Sequence, residues 1–169
     1  MSFVVARDGN ISLFRVGTIV AVLGVLLVAG GIAAYVLDQN SYKAPLEVAP
    51  FPAAESWGQT RQTGSTRRLV FRVANVPPED VLTYYQQRLQ EFAGGDSTGC
   101  TRVPAIGEFE ESASDPTIAP YSFRCLFQRT GLRASQQTTV TIQPGVFNDD
   151  PEMNTLGMTV IEHSQRWQP

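Results

Sequence analysis

The feature that most constrains this chain is an uninterrupted apolar run from Val16 to Leu37. The run contains no charged residue, and its polar side chains are Thr18 and Tyr35. At about 1.5 Å per residue a helix of this length spans roughly 33 Å, which matches a hydrocarbon core of about 30 Å. A helix also satisfies its own backbone hydrogen bonds, as lipid requires. The run therefore predicts a single transmembrane helix over residues 16–37.

Two other kinds of N-terminal segment fit this run less well. A cleaved signal peptide has an apolar region of about 7–15 residues before a small-residue cleavage site. Gly31 and Ala33 resemble such a site, but the apolar run is already longer than that when it reaches them. A bacterial lipoprotein anchor needs a cysteine just after the run, and the sequence has none there.

The residues that flank the run predict its orientation. Arg7 and Arg15 precede it, whereas Asp38 opens the far side and Lys43 is the basic residue nearest to it there. Since excess positive charge stays in the cytoplasm, residues 1–15 are predicted to be a cytoplasmic tail and the rest of the chain to be periplasmic or extracytoplasmic. Both cysteines lie in that outer part, as a disulfide in an oxidising compartment requires.

Residues 38–64 are predicted to be an extracytoplasmic linker. Pro45, Pro50 and Pro52 occur there among small and polar residues, and proline favours extended, semi-stiff chain over helix. Residues 65–169 are then predicted to form the folded domain. The domain organisation is therefore a tail, a transmembrane helix, a linker and one outer domain.

Hydrophobic periodicity predicts that the outer domain is of the α+β class. The first strand alternates apolar and polar residues, and a helix follows Pro77-Pro78 and ends at Gly94-Gly95. Three further strands follow. The element order β-α-β-β-β predicts one antiparallel sheet with one helix packed on it. The apolar positions are Leu69, Phe71 and Val73; Val81, Tyr85, Leu89 and Phe92; Tyr121, Phe123, Cys125 and Phe127; Val140 and Ile142; and Met158, Val160 and Ile161.

Cys100 and Cys125 are predicted to form a structural disulfide. Closing the loop between them stabilises the domain by roughly 3–4 kcal/mol in the chain-entropy model. The alternative is a redox-active pair, but the sequence has no Cys-x-x-Cys motif and no adjacent base that would lower the pKa of a thiol.

His163 is the single histidine, and its simplest interpretation is a polar residue on the last strand. A zinc site would need several ligands at characteristic spacings, and none is present. A hydrolase would need His163 close to an acid and a serine, although nothing resembles Gly-x-Ser-x-Gly. Covalent haem is excluded because there is no Cys-x-x-Cys-His, which leaves only a haem held by His163 and a methionine. No cofactor and no metal are expected.

Two acidic clusters also occur, and the favoured interpretation of the second is a solvated turn. The first comprises Glu108, Glu110 and Glu111, and the second is the segment Asn148-Asp149-Asp150-Pro151-Glu152. Oxygen ligands in a turn are what calcium needs, but the second cluster lacks the spacing of a dedicated calcium loop.

Small residues in the apolar run predict that the membrane helix packs against another helix. Gly17, Ala21, Gly24 and Gly31 fall on one stripe, and small side chains let helices approach closely in lipid. The net charge of −3 and the scattering of the 13 basic residues along the sequence argue against nucleic acid as a partner.

From Tyr121 onward, the strings YSFRCLFQR, TTVTIQPG and GMTVIEHSQRWQ resemble small membrane-anchored domains of filamentous green phototrophic bacteria. The layout is similar to that of accessory subunits of alternative complex III, the quinol-oxidising complex. The resemblance covers about the last third of the chain and carries no catalytic residue with it. It implies a non-catalytic subunit that itself transfers no electrons.

The leading hypothesis is therefore a non-catalytic accessory or scaffold subunit of a membrane electron-transfer complex, with larger integral membrane subunits and the bilayer as its partners. The first alternative is a membrane-tethered module that binds a ligand, a glycan or a secreted protein. The second alternative is an anchored hydrolase. A binding module should remain soluble and monodisperse without the anchor, which distinguishes it from a subunit that depends on its complex.

Overall fold

The computed structural model describes residues 13–93, 99–104, 115–131 and 134–168. Its contacts divide the chain into two compact units, one ending at Ser41 and the other beginning at Tyr42. The first unit contains one helix, and the second contains a sheet and another helix. The division separates the uniformly apolar segment from the part of the chain in which polarity alternates.

Helix α1 runs from Leu13 to Ser41 and is apolar around its circumference. It includes the predicted span of residues 16–37 and continues one turn further, where Ser41 Oγ donates to the carbonyl of Asp38. The most apolar 18 residues of the segment Val16–Ser41 have a mean hydropathy of 2.6, and among the described residues this is the one helix long and apolar enough to cross a membrane. A signal sequence shares these properties, so the fold establishes a candidate anchor. Most of the predicted tail lies outside the described residues.

The second unit is built on one antiparallel sheet. Its strands are β1 (Glu55–Ser56), β2 (Arg61–Thr63), β3 (Thr66–Ala74), β4 (Thr101–Val103), β5 (Ser122–Thr130), β6 (Ser135–Pro144) and β7 (Met158–Gln168). They follow the order β1-β3-β7-β6-β5-β4, and β2 also pairs with β3. The predicted antiparallel sheet is confirmed. The short strands β1, β2 and β4 were not predicted, because two or three residues are too few to show an alternating pattern.

Helix α2 runs from Pro78 to Phe92 and packs on the sheet as predicted. Pro77 precedes it in an extended conformation, and acidic residues occupy its first turn, where they complement the helix dipole. Val81, Tyr85 and Leu89 are its buried apolar residues, spaced by four as one helix face requires. The predicted stop at residues 94–95 lies outside the described residues.

The hydrophobic core lies between α2 and one face of the sheet, which we name the inner face. Alternate residues of the central strands are buried there, because successive side chains of a strand point to opposite faces. The buried inner-face residues of β5, β6 and β7 are Phe123, Cys125 and Phe127; Gln136, Thr138, Val140 and Ile142; and Thr159, Ile161, His163, Gln165 and Trp167.

Residues 42–54 form a strap that lies against the same inner face beside α2. Leu46, Val48 and Phe51 pack against the core, and the ring of Tyr42 is only 2% exposed. The backbone NH of Phe51 donates to the hydroxyl of Tyr85 at 3.1 Å, which joins the strap to α2.

Side chains of the sheet bind the carbonyl groups of the strap. The Leu46 carbonyl accepts hydrogen bonds from Thr138 Oγ1 at 2.6 Å and from Gln165 Nε2 at 2.8 Å. Gln136 Nε2 donates to the carbonyl of Ala44 at 2.6 Å. Because an extended chain without a strand partner leaves its backbone groups unpaired, these side chains replace the missing ladder.

In the structure, residues 38–64 do not form the single free linker that the sequence predicts. The helix takes up its first residues, the strap occupies 42–54, and β1 and β2 follow. The prolines do keep the segment extended. An extended chain is also what lies flat across a sheet, so proline content does not distinguish a free linker from a docked strap.

The strap contacts generate a prediction for two adjacent threonines with the same chemistry. Thr138→Val removes a buried hydrogen bond to the strap, and we expect it to lower the free energy of unfolding by about 1 kcal/mol. Thr139→Val makes the same change on the opposite sheet face, where Thr139 has a long 3.4 Å contact with Gln137, and should cost less than about 0.5 kcal/mol. Urea unfolding of residues 42–169 measures both variants. Equal losses would contradict a stabilising strap.

Candidate functional site

Cys100 and Cys125 are joined by a disulfide with a Cα–Cα distance of 4.3 Å. The register of β4 with β5 pairs Thr101 with Arg124, so the two cysteines occupy the next opposed position. The bond therefore fixes β4, a strand of only three residues, to the edge of the sheet. Its position indicates a structural role, since Cys125 is fully buried on the inner face.

His163 lies on the inner face and is only 1% exposed. Its Nε2 is 2.9 Å from the hydroxyl of Tyr85, and its ring makes an edge contact with Phe71. The Tyr85 hydroxyl accepts the NH of Phe51, and its own buried proton needs an acceptor. The neutral Nε2 of His163 supplies that acceptor, so the ring proton resides on Nδ1.

Burial lowers the pKa of His163 to about 4. The charge of Glu47 raises this pKa by a smaller amount, and the charge of Arg67 lowers it. Burial likewise raises the pKa of Tyr85. Both groups are therefore neutral at physiological pH. A ring that is enclosed by Tyr85 and Phe71 offers no surface to a substrate, so the geometry of His163 does not resemble that of a hydrolytic histidine.

The acidic segment at residues 148–152 forms a turn in which side-chain oxygens bind the backbone. Asn148 Oδ1 accepts the NH of Asp150, and Asp150 Oδ1 accepts the NH of Glu152, both at 2.9 Å. The described part of the chain contains no group of three potential metal ligands. The predicted cluster of Glu108, Glu110 and Glu111 lies outside the described residues.

The small residues predicted to pack against another helix lie on α1 and are open. A Cβ atom built at Gly17, Gly24 or Gly31 would meet no atom within 4 Å. Ala21 is also exposed. Helix packing at this stripe stays a prediction.

The sheet face opposite the helix and the strap, which we name the outer face, is the candidate functional site. Its residues are exposed or half-buried, with Val160 as a buried exception. The strand registers place Arg61 beside Arg68, and they align Arg72 with Val160, Arg124 with Thr141 and Arg166 with Gln137. The outer-face residues of the long strands are Thr66, Arg68, Val70 and Arg72; Arg124, Leu126 and Gln128; Gln137, Thr139, Thr141 and Gln143; and Val160, Glu162, Ser164 and Arg166.

The outer face carries a positive charge although the chain as a whole is negative. Its five arginines face two carboxylates, Glu55 and Glu162, which leaves a formal charge of +3 against −3 for the whole chain. Within the described residues only one of these arginines, Arg68, has an ion pair, with Glu162 at 2.5 Å. The other guanidinium groups are therefore available to an anion.

A cavity of about 260 Å³ lies at one end of the outer face. Trp57, Val70 and Met153 form apolar walls, and Arg61 and Arg68 supply positive charge. Trp57 sits opposite Val70, held by a 2.8 Å hydrogen bond from its NH to the Val70 carbonyl. Its indole Nε1 donates to the carbonyl of Glu152 at 3.4 Å, which orients the ring.

A glycine lines the cavity next to Trp57. Gly58 follows Trp57 with a φ of +76°, a left-handed conformation that other residues adopt at a cost. Strands β1 and β2 both run antiparallel to β3, so the chain leaves the sheet after Trp57 and rejoins it at β2, which carries Arg61. Sequence reasoning missed this site. Its one signal in the sequence is the Trp57-Gly58 pair before an arginine, in the segment predicted to be a linker.

Comparisons with known protein families, with characterised proteins and with solved structures find no match to this chain.

The burial of His163 predicts a pH dependence of stability. The pKa of the folded state, about 4, lies below the ordinary value of 6.5. Between these values the unfolded chain binds a proton that the folded chain excludes, so stability is full above pH 6.5 and falls as the pH falls toward 4. The loss is at most about 3 kcal/mol, since one pKa unit corresponds to about 1.4 kcal/mol.

Urea unfolding of residues 42–169 between pH 4 and pH 7.5 measures this loss. His163→Phe is the control, because it fills the site without a titrating group. We expect the variant to be less stable at neutral pH and to show a flatter profile above pH 4.5. Identical slopes for both proteins would contradict the assignment.

Proposed function

We propose that this chain is a non-catalytic, membrane-anchored binding domain whose outer face binds an anionic partner outside the cytoplasm. One observation carries the proposal: the inner face is covered by α2 and the strap, whereas the outer face is open and collects five arginines. An open face of mixed guanidinium, hydroxyl and amide groups has the chemistry of a recognition surface.

The anchor and the outward orientation are supported by several features. Helix α1 has the length and polarity of a membrane span, and the basic residues Arg7 and Arg15 precede its apolar run in the sequence. The disulfide between Cys100 and Cys125 suits an oxidising compartment. In this proposal the N-terminus is cytoplasmic and the domain is periplasmic or extracytoplasmic.

A binding domain is favoured over a dependent subunit by the completeness of the core. Val81, Tyr85 and Leu89 of α2 are buried within the unit from Tyr42 onward, as are the inner-face residues of the sheet. The unit therefore covers its main apolar surface by itself. Such a domain is expected to fold without a partner and to present the outer face to one.

The arginines of the outer face generate a test by electrostatics. The full chain, purified in nonionic detergent, should bind a polyanionic resin at low salt despite its net negative charge. The double variant Arg124→Gln/Arg166→Gln should elute at distinctly lower salt, because exposed charges act over about 10 Å at 0.1 M salt.

The matched control is Arg88→Gln/Arg129→Gln, which changes the net charge equally. Arg88 lies on α2, and Arg129 stacks over the ring of Tyr42 at 5.4 Å, so neither belongs to the outer face. The control should elute as the parent protein does. Equal losses in both variants, or no retention of the parent, would contradict an anion-binding outer face.

An accessory subunit of a membrane complex is the second candidate, and the openness of α1 favours it. The small side chains at Gly17, Ala21, Gly24 and Gly31 leave room for a neighbouring helix to approach. Membership of a quinol-oxidising, electron-transfer complex rests on the sequence resemblance of the last third of the chain.

Purification from native membranes in mild detergent tests the accessory role. Stoichiometric recovery of large integral membrane subunits, with haem absorbance in the eluate, would support a place in an electron-transfer complex. We expect Gly24→Leu to reduce that recovery, since it blocks close helix approach, while the lipid-compatible control Leu23→Ile should not. Recovery of the protein alone would contradict this candidate and leave the binding domain standing.

A further inference from the structure

The cavity at Trp57 combines an aromatic wall with two cations. Trp57 is half-buried, so one part of its indole is fixed and another faces the cavity. Met153 is 50% exposed on the wall, and Val70 of β3 also lines the cavity. An occupant must therefore offer an apolar surface to these residues and negative charge to Arg61 and Arg68.

The two arginines of the cavity are directly opposed across β2 and β3. Like charges at such a position destabilise a sheet, because the Cβ atoms are only about 5 Å apart. Glu162 pairs with Arg68, and Arg61 has no carboxylate partner within the described residues. A second anion between the two guanidinium groups would relieve this repulsion, and a carboxylate fits guanidinium geometry through paired hydrogen bonds.

The cavity continues into a row of hydroxyl groups. Strand register places Arg68 opposite Ser164 and Ser164 opposite Thr139, on one face and in one line across the sheet. Since neighbouring strands lie about 4.8 Å apart, the row from Arg61 to Thr139 extends over roughly 14 Å. This length exceeds one small ring and suits a chain of hydroxylated units.

We propose that the cavity binds a uronate residue of an acidic polysaccharide. The C–H face of the sugar ring packs on Trp57, and its carboxylate lies between Arg61 and Arg68. The neighbouring sugars lie along Ser164 and Thr139, which donate to and accept from their hydroxyl groups. This inference rests on the proposed anion-binding role of the outer face and names its ligand class.

Other anions use these groups less completely. An acidic peptide supplies carboxylates, but its aspartate and glutamate side chains themselves offer no ring face to Trp57 beside the charge. A phospholipid bilayer supplies phosphate groups, but the outer face next to the cavity carries Ser164, Thr139 and Arg166 rather than an apolar surface for acyl chains. A uronate sugar uses the aromatic wall, the cations and the hydroxyl row together.

Calorimetric titration of the full chain in nonionic detergent with trigalacturonate tests the proposal. We expect saturable binding that weakens at high salt, weaker binding of monomeric galacturonate, and no binding of a neutral galactose trimer. Trp57→Leu and Arg61→Gln should each weaken the affinity for trigalacturonate about tenfold or more. Arg88→Gln, which removes an equal charge from α2, should leave the affinity unchanged.

Arg61 is the informative arginine because, among the described residues, its removal leaves no carboxylate without its ion pair, whereas removal of Arg68 would leave Glu162 unpaired. Thermal melting of each variant verifies that the fold persists.

Three outcomes would overturn the assignment in distinguishable ways. Binding of polyglutamate or of anionic vesicles with equal affinity, insensitive to Trp57→Leu, would refute a sugar ligand while leaving the anion-binding face intact. Binding of trigalacturonate that Arg124→Gln/Arg166→Gln abolishes and Arg61→Gln does not would move the site away from the cavity. Failure to bind any of these polyanions would refute the proposed function as well.

Discussion

The carbonyl oxygen of Leu46 is the contact on which the organisation of this domain depends. It accepts hydrogen bonds from Thr138 and Gln165, two polar side chains that are otherwise buried on the inner face. Without the strap, the Thr138 hydroxyl and the Gln165 amide NH would lose the acceptor that they share. Without these side chains, the backbone carbonyl groups of the strap would lose their hydrogen-bond donors. Each therefore stabilises the other, and their pairing commits the inner face to the strap and leaves the outer face free.

The register of the sheet decides which side chains are structural and which are available to a ligand. Arg67 and Arg68 are neighbours in sequence, yet Arg67 Nε donates to Gln165 on the inner face while Arg68 lies on the outer face beside the cavity. A slip of one residue would exchange these roles and bury the charges of the outer face. The hydrogen-bonded pair of Tyr85 and His163 lies on the structural side of the sheet, since both groups are neutral and can be buried in the core.

Hydrophobic periodicity in the sequence predicts the long helices and strands, but it does not reveal the short strands or the irregular strap. The apolar run, the stripe of α2 and the alternation around Cys125 specify a candidate anchor, a packed helix and an antiparallel sheet. The strap has no period, since its backbone is held by side chains from distant strands such as Thr138. The five arginines of the outer face are scattered in sequence from position 61 to position 166, and only the strand registers bring them to one face. Sequence spacing carries no signal for such a surface.

The construction of the outer face also bears on how tightly it can bind. Its arginines rise from paired strands, so the backbone beneath them is fixed before a ligand arrives, and binding orders side chains alone. A single exposed guanidinium contributes little, because water screens its charge and its side chain loses rotamer freedom on binding. Several contacts along one polymer share a single loss of translational freedom, so their contributions accumulate. A face of this kind therefore discriminates by the number and spacing of anionic groups, and the cavity at Trp57 adds the one position where the shape of a single unit is recognised.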